Sequence, residues 1–181
     1  AAGVTPRMST SNGQGALSGT MGQYADAIAS IESVGSGDYA AIGPTTKGGN
    51  RAYGRYQVMD FNVGPWTEKH IGRAMTPEEF LADPEAQDAV FQGEFGSYVA
   101  KYGNPQDAAS AWFTGRPLAK GGNSSDGYIT GNEYVDKFNT FLASLPQTSG
   151  GSDLGMIGGV KPDGGEWQSL DGSGRAHAAN P

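Results

Sequence analysis

Glu32 is the residue of this sequence whose type and position best suit acid–base chemistry. It follows Ile28 by four residues and stands next to Ile31, so on a helix it lies at the edge of an apolar stripe. Because partial burial and the negative end of the helix dipole both disfavour an anion, we expect the pKa of Glu32 to be raised toward neutrality. An acid that stays protonated can give a proton to a departing sugar oxygen, as cleavage of a glycosidic bond requires. The structural alternative is a glutamate paired with Arg51 or Arg55.

The reaction type depends on whether a second carboxylate takes part. Hydrolysing glycosidases usually use two, one as the acid and the other as a nucleophile or a water-activating base. Asp38 and Asp60 are the acids near Glu32 in the sequence that could serve as the second group. Asp38 lies in a glycine-rich turn, where aspartate is common for backbone reasons, so a turn role is favoured for it.

Composition and charge exclude several other kinds of site. The 181 residues include 12 Lys and Arg against 19 Asp and Glu, and this net charge of −7 comes without the basic stripe that nucleic acids or anionic lipids need. The absence of cysteine excludes disulfides, thiolate metal sites and a thiol nucleophile. His70 and His177 cannot form a histidine metal triad. We therefore expect no metal, no organic cofactor and no nucleic-acid partner.

Residues 20–145 are expected to form a mainly α-helical domain. Apolar residues recur at spacings of three and four over residues 21–34, which predicts an amphipathic helix. Further helix starts carry an N-cap residue followed by proline or by a capping-box glutamate: Thr76, Asp83, Asn104 and Thr130. The segments 35–66 and 116–129 are rich in Gly, Asn and Tyr and predict loops, with short strands or a hairpin in the first.

Both ends of the chain have the composition of linkers. Residues 1–19 and the glycine-rich tail 146–181 contain too few large apolar side chains to offset the entropy of ordering, so we expect both to be flexible. Neither end carries a signal-peptide pattern, and no apolar run approaches a membrane span. Because the sequence begins Ala-Ala rather than Met, we expect a domain processed from a longer polypeptide.

Four short sequence blocks follow one another along the predicted domain. They are Glu32-Ser33, then residues 54–57 (Gly-Arg-Tyr-Gln), then residues 111–115 (Ala-Trp-Phe-Thr-Gly), then Tyr134-Val135. This series resembles the motifs of the soluble lytic transglycosylase family, lysozyme-like, goose-type domains that cut the glycan strands of peptidoglycan. The family has Glu-Ser at a helix end, Gly-x-x-Gln, Ala-Tyr-Asn-Ala-Gly and a Tyr-Val pair on a closing helix. The resemblance spans about residues 21–145 and is greatest to versions carried in bacteriophage virions and conjugation machinery.

The resemblance implies a role for each matching residue. Glu32 would be the single general acid and then base, and Tyr134 would hydrogen-bond it and orient it. Ser33 would polarise the sugar or position an acyl group, and Gln57 would donate to the glycan. Trp112 would form a sugar-stacking wall. The structural alternatives are a turn cap for Gln57 and core positions for Tyr134 and Trp112.

Tyrosines gathered in the irregular segments add candidate substrate contacts. Tyr53 precedes the Gly-x-x-Gln block and Tyr56 lies within it, and several partly exposed aromatics around one loop often line a saccharide groove. A loop folded over a small core of its own would have a similar sequence. Within the resemblance, the loop and short-strand region is expected to line the groove of a lysozyme-like helical domain.

The resemblance has two departures. Phe113 replaces the family asparagine, so a polar substrate contact is lost or supplied by Thr114 or Arg116. Residues 45–50 form an apparent insertion between Glu32 and Gln57.

The implied function is cleavage of the MurNAc–GlcNAc β-1,4 bond with 1,6-anhydroMurNAc ends. Peptidoglycan strands would be the partner, within a phage virion or another assembly of the bacterial periplasm or cell envelope. The alternatives are a hydrolytic muramidase and an inactive peptidoglycan-binding or structural module.

Overall fold

The computed structural model describes Leu17 and residues 19–146, and these residues are mainly α-helical, as predicted. The helices are α1 (Gly19–Glu32), α2 (Asp60–Ile71), α3 (Pro77–Leu81), α4 (Pro84–Tyr102), α5 (Pro105–Thr114), α6 (Leu118–Gly121) and α7 (Gly131–Ser144). Apart from Leu17, Gly19 and Pro146, the linkers predicted for residues 1–19 and 146–181 lie outside the described residues.

The segment between α1 and α2 contains the predicted hairpin. A 3-10 turn at Asp38–Ala40 is followed by β1 (Ala52–Tyr53) and β2 (Val58–Met59), which pair antiparallel. Ala52 pairs with Met59 and Tyr53 with Val58, so residues 54–57 form the connection.

The predicted helix starts at four positions are confirmed. Thr76 and Thr130 each form a capping box, because their side chains accept from a backbone N–H three residues on and the glutamate at that position accepts from the threonine N–H. Asp83 and Asn104 each accept from the backbone N–H three residues on, and proline follows both.

Helix α2 contradicts the prediction of an irregular segment over residues 35–66. The helix contains Pro65 and few apolar residues, so its local sequence gives little helical signal. Tertiary packing stabilises the helix instead, because Val63 and Trp66 are buried and α2 lies against α4.

Aromatic rings fill the centre of the helical core. Phe91 of α4 stacks on Phe95 at 4.9 Å between centroids and meets Trp112 of α5 at 5.2 Å. Trp112 also lies 5.6 Å from Trp66 of α2, which joins three helices through one side chain. Helix α5 is therefore fixed deep in the core, and its last turn has a defined position.

A buried glutamine ties the hairpin connection to α4. The Gln87 side chain accepts a hydrogen bond from the Arg55 backbone N–H at 2.8 Å and donates to the carbonyls of Tyr39 and Phe80. Gly54 has φ +81°, and a Cβ placed there would lie 2.2 Å from the Gln87 oxygen. The close approach of hairpin and helix thus requires glycine at position 54.

Two glycines with the same backbone conformation test this requirement. Gly103 has φ +80° but open space where a Cβ would stand. Gly103→Ala should therefore lower the free energy of unfolding only by the cost of the left-handed conformation, about 1–2 kcal/mol. Gly54→Ala also displaces Gln87, and we expect this to lower the free energy of unfolding by a further amount of about 1–3 kcal/mol. Urea unfolding of both variants measures the difference, and equal losses would contradict the steric argument.

Candidate functional site

Glu32 is the last residue of α1 and is 4% exposed. Its Oε1 accepts a hydrogen bond from the Tyr134 hydroxyl at 2.6 Å. Tyr134 is fully buried in the first turn of α7, a position set by the capping box that starts this helix. The predicted hydrogen bond between the two residues is therefore present, and it joins the end of α1 to the start of α7.

Phe113 covers the ring of Tyr134. The two rings are 4.7 Å apart between centroids with an angle of 8° between their planes, and Phe113 is 3% exposed. Thr114, one of the residues considered as a substitute polar contact, donates its hydroxyl to the Ser110 carbonyl at 2.8 Å. An aromatic wall therefore occupies the position where the resembled family has asparagine.

Ser33 and Gln57 are both enclosed. Ser33 is 1% exposed, and its hydroxyl lies 3.5 Å from the Ala29 carbonyl. Gln57 is fully buried at φ +51°, and its amide nitrogen donates to the carbonyls of Gly54 at 2.9 Å and Ala41 at 3.4 Å. This is the geometry of the turn-cap alternative, and donation to a glycan would require these bonds to break. The Gln57 Oε1 is buried and has no hydrogen-bond partner within the described part of the chain.

Tyr56 and Trp112 lie in the core, which corrects their prediction as substrate contacts. Both are 1% exposed. The Tyr56 hydroxyl donates to Asp88 at 2.6 Å, and burial, followed by the neighbouring Asp88 charge, raises the pKa of this phenol well above its usual value. The Trp112 indole N–H donates to the Tyr56 carbonyl at 3.2 Å. Neither ring offers a face to a sugar, because each is packed against other aromatic side chains.

Two tyrosines remain on the surface as candidate saccharide contacts. Tyr53 is half-buried in β1 and forms an isolated bridge with Ile42, which is 43% exposed. Tyr128 precedes α7 and is 68% exposed. The contact of Tyr53 with a substrate remains a prediction.

A buried arginine organises the segment that follows Glu32. The Arg55 side chain has no exposed surface and forms ion pairs with Asp26 of α1, at 2.7 Å, and with Asp38 of the 3-10 turn. Its guanidinium also lies 5.3 Å from the centroid of the Tyr39 ring, and the Tyr39 hydroxyl donates to Asp88 of α4. One cation thus joins α1, the turn, the hairpin connection and, through Tyr39, α4.

Both candidates for a second carboxylate have structural partners. Asp38 is bound to Arg55 and adopts φ +56°, the left-handed conformation of a turn residue. Asp60 begins α2 and accepts the backbone N–H groups of Arg51 at 3.1 Å and Phe61 at 2.8 Å. The turn role favoured for Asp38 matches this geometry. Arg51, considered as a partner of Glu32, donates its Nε to the Gly43 carbonyl.

Among residues 19–146, no group of three His, Asp or Glu side chains is placed to hold a metal ion. Within that described part, no helix combines the length and hydropathy needed to cross a membrane.

Comparison with protein-family models, with curated proteins and with solved structures finds no match to this chain. The four sequence blocks and the geometry of the residues they contain are therefore the basis for the functional proposal.

The Arg55 ion pairs make a prediction about stability. Arg55→Met removes a buried charge shared by two aspartates, and we expect the free energy of unfolding to fall by about 3 kcal/mol or more. Arg73→Met is the matched control, because Arg73 pairs with Glu79 at 3.2 Å with both side chains about half exposed, and such pairs contribute about 1 kcal/mol or less. Urea unfolding measures both, and a loss at Arg55 no greater than that at Arg73 would refute the organising role.

Proposed function

We propose that this domain is a lysozyme-like lytic transglycosylase that cleaves the β-1,4 bond between MurNAc and GlcNAc in peptidoglycan. The observation that carries the proposal is the buried Glu32 at the end of α1, held by the Tyr134 hydroxyl at 2.6 Å. These residues belong to the first and last of the four motif blocks and are 102 positions apart in the sequence. Their contact supports an alignment of the chain with the family's site.

The surroundings of Glu32 suit a group that first gives a proton and then takes one. Burial and the carboxyl end of α1 favour the protonated form. The hydrogen bond from Tyr134 favours the ionised form, because the phenol donates to the carboxylate. The proposed cycle uses both influences, because Glu32 must first give a proton and then take one.

The proposed reaction needs one carboxyl group and consumes no water. Protonated Glu32 gives its proton to the glycosidic oxygen while the bond from MurNAc C1 breaks, and the GlcNAc fragment leaves with a new 4-hydroxyl group. The acetamido oxygen of the same MurNAc stabilises the positive charge at C1. The Glu32 carboxylate then takes the proton of the MurNAc 6-hydroxyl as O6 bonds to C1, which gives the 1,6-anhydro ring and returns Glu32 to its starting state.

The structural partners of the other nearby acids favour this route over hydrolysis. Asp38 is ion-paired with Arg55, and Asp60 accepts two backbone N–H groups, so each already has a role in the fold. A two-carboxylate mechanism would require one of them to leave its partners.

The sugar contact in this proposal is Tyr53 at the half-buried edge of the hairpin. Ser33 and Gln57 are buried, and Gln57 would contact the glycan only by leaving its hydrogen bonds to the Gly54 and Ala41 carbonyls. The segment from the end of α1 to β2 would line the groove. As the resemblance implies, the domain would act within a phage virion or another assembly that crosses the bacterial envelope.

Mass spectrometry of the fragments released from purified peptidoglycan tests the proposal. The unaltered protein is expected to release fragments ending in 1,6-anhydroMurNAc. Glu32→Gln should lower the rate by about 100-fold or more, because it removes the transferable proton. Tyr134→Phe should lower it about tenfold through loss of one charge-assisted hydrogen bond. Glu68→Gln, at an exposed glutamate of α2, is the charge-matched control and should retain full activity.

Other products would identify the alternatives. Reducing ends that carry one added water would indicate a muramidase and require a second carboxylate. Release of no fragments by protein with an intact helical circular dichroism spectrum, together with sedimentation on sacculi, would indicate a binding module.

A further inference from the structure

Phe113 and Tyr134 form a nearly parallel pair of rings next to Glu32. Their interplanar angle of 8° is smaller than that of the core pairs Phe91–Phe95, at 18°, and Tyr56–Phe91, at 25°. The centroid distance of 4.7 Å lies within the range of offset stacking, which contributes beyond the burial of area.

The orientation of the Tyr134 ring decides how its hydroxyl donates. The phenolic O–H bond lies preferentially in the plane of the ring, so tilting the ring turns the proton away from the acceptor. Hydrogen bonds weaken steeply as the donor angle departs from linear. The 2.6 Å bond to Glu32 therefore depends on the ring plane as well as on the position of the oxygen.

Phe113 is held by a rigid element. It follows Trp112, whose indole is buried among aromatic rings and donates to the Tyr56 carbonyl, and it lies in the last turn of α5. With 3% of its surface exposed, Phe113 is enclosed against the face of Tyr134. The fixed position of the Phe113 ring thus restricts the orientation of the Tyr134 ring.

We propose that Phe113 is a positioning residue for Glu32 that acts through the ring of Tyr134. The inference rests on the proposed function for its effect on catalysis, while the coupling itself is a property of the free protein. Where the resembled family has an asparagine that makes a polar contact, this chain has a phenylalanine ring that packs on Tyr134 and fixes its orientation. Its loss should weaken the Tyr134 hydrogen bond and so favour the protonated form of Glu32.

The titration of the Glu32 carboxyl carbon, followed by NMR in the free protein, tests the coupling. Tyr134→Phe should raise the pKa of Glu32 by about one unit or more, because a hydrogen bond to the charged form is lost. Phe113→Leu should raise it by about half as much or more. In the Tyr134→Phe background, Phe113→Leu should add no further shift, since the ring it acts through no longer donates. Phe113→Tyr keeps the stacked ring and should restore the titration of the unaltered protein.

The effect on catalysis is tested by measuring kcat, KM and the pH profile of the same variants on peptidoglycan fragments. Phe113→Leu should lower kcat by about threefold to tenfold, no more than Tyr134→Phe does, with KM changed less than about twofold, because it acts on the reacting geometry through that hydrogen bond. The alkaline limb of kcat/KM should move to higher pH, because the acid form of Glu32 persists further.

The outcomes separate the two proposals. An inactive parent protein would overturn the proposed function, while the NMR cycle would still decide the coupling. An equal shift from Phe113→Leu with and without the Tyr134 hydroxyl would overturn the positioning role. If Phe113→Leu does not fold, Phe113→Met carries the same test, because its thioether fills the space without forming a stacked ring.

Discussion

The buried charge of Arg55 is the constraint on which the rest of the site region depends. A guanidinium without exposed surface requires anionic partners, since transfer of an unpaired ion from water into the protein interior costs several kcal/mol. Asp26 and Asp38 meet this demand from different elements, and the rings of Tyr39 and Tyr56 lie within 6 Å of the cation. The turn after Glu32 is therefore attached to α1 and to the hairpin by the same group.

The site has a helical side and a loop side with different sources of rigidity. On the helical side, α5 and α7 place Phe113 and Tyr134 against Glu32 through aromatic packing. On the loop side, Gln57 and the hairpin connection are held by hydrogen bonds to backbone carbonyls and to Gln87. Aromatic packing thus positions the residues that contact Glu32, while hydrogen bonds hold the hairpin connection.

Local signals in the sequence predicted what depends on local interactions. The helix starts at Thr76 and Thr130 follow from caps that involve residues three positions apart. Local signals do not predict helix α2, because it depends on burying Val63 and Trp66 against other helices, a tertiary effect that propensity does not contain.

The site was predictable in part for the same reason. Glu32 could be selected from its position in the apolar pattern of one helix, and its bond to Tyr134 followed from the resemblance. The sequence leaves a core position and a sugar contact both open for Trp112, and it gives no signal for the burial of Tyr56, because the same amphipathic rings suit a core and a sugar groove. Gln87 gave no signal at all, since a glutamine within a helix more often faces solvent.

The position of Tyr134 on α7 also has a consequence for biosynthesis. Because Glu32 meets a partner 102 residues further along, the contact cannot form until α7 has left the ribosome. A nascent chain that has folded α1 through α5 carries the glutamate without the phenol that orients it. Assembly of the acid site thus follows the synthesis of α7, and a product terminated before Tyr134 lacks it.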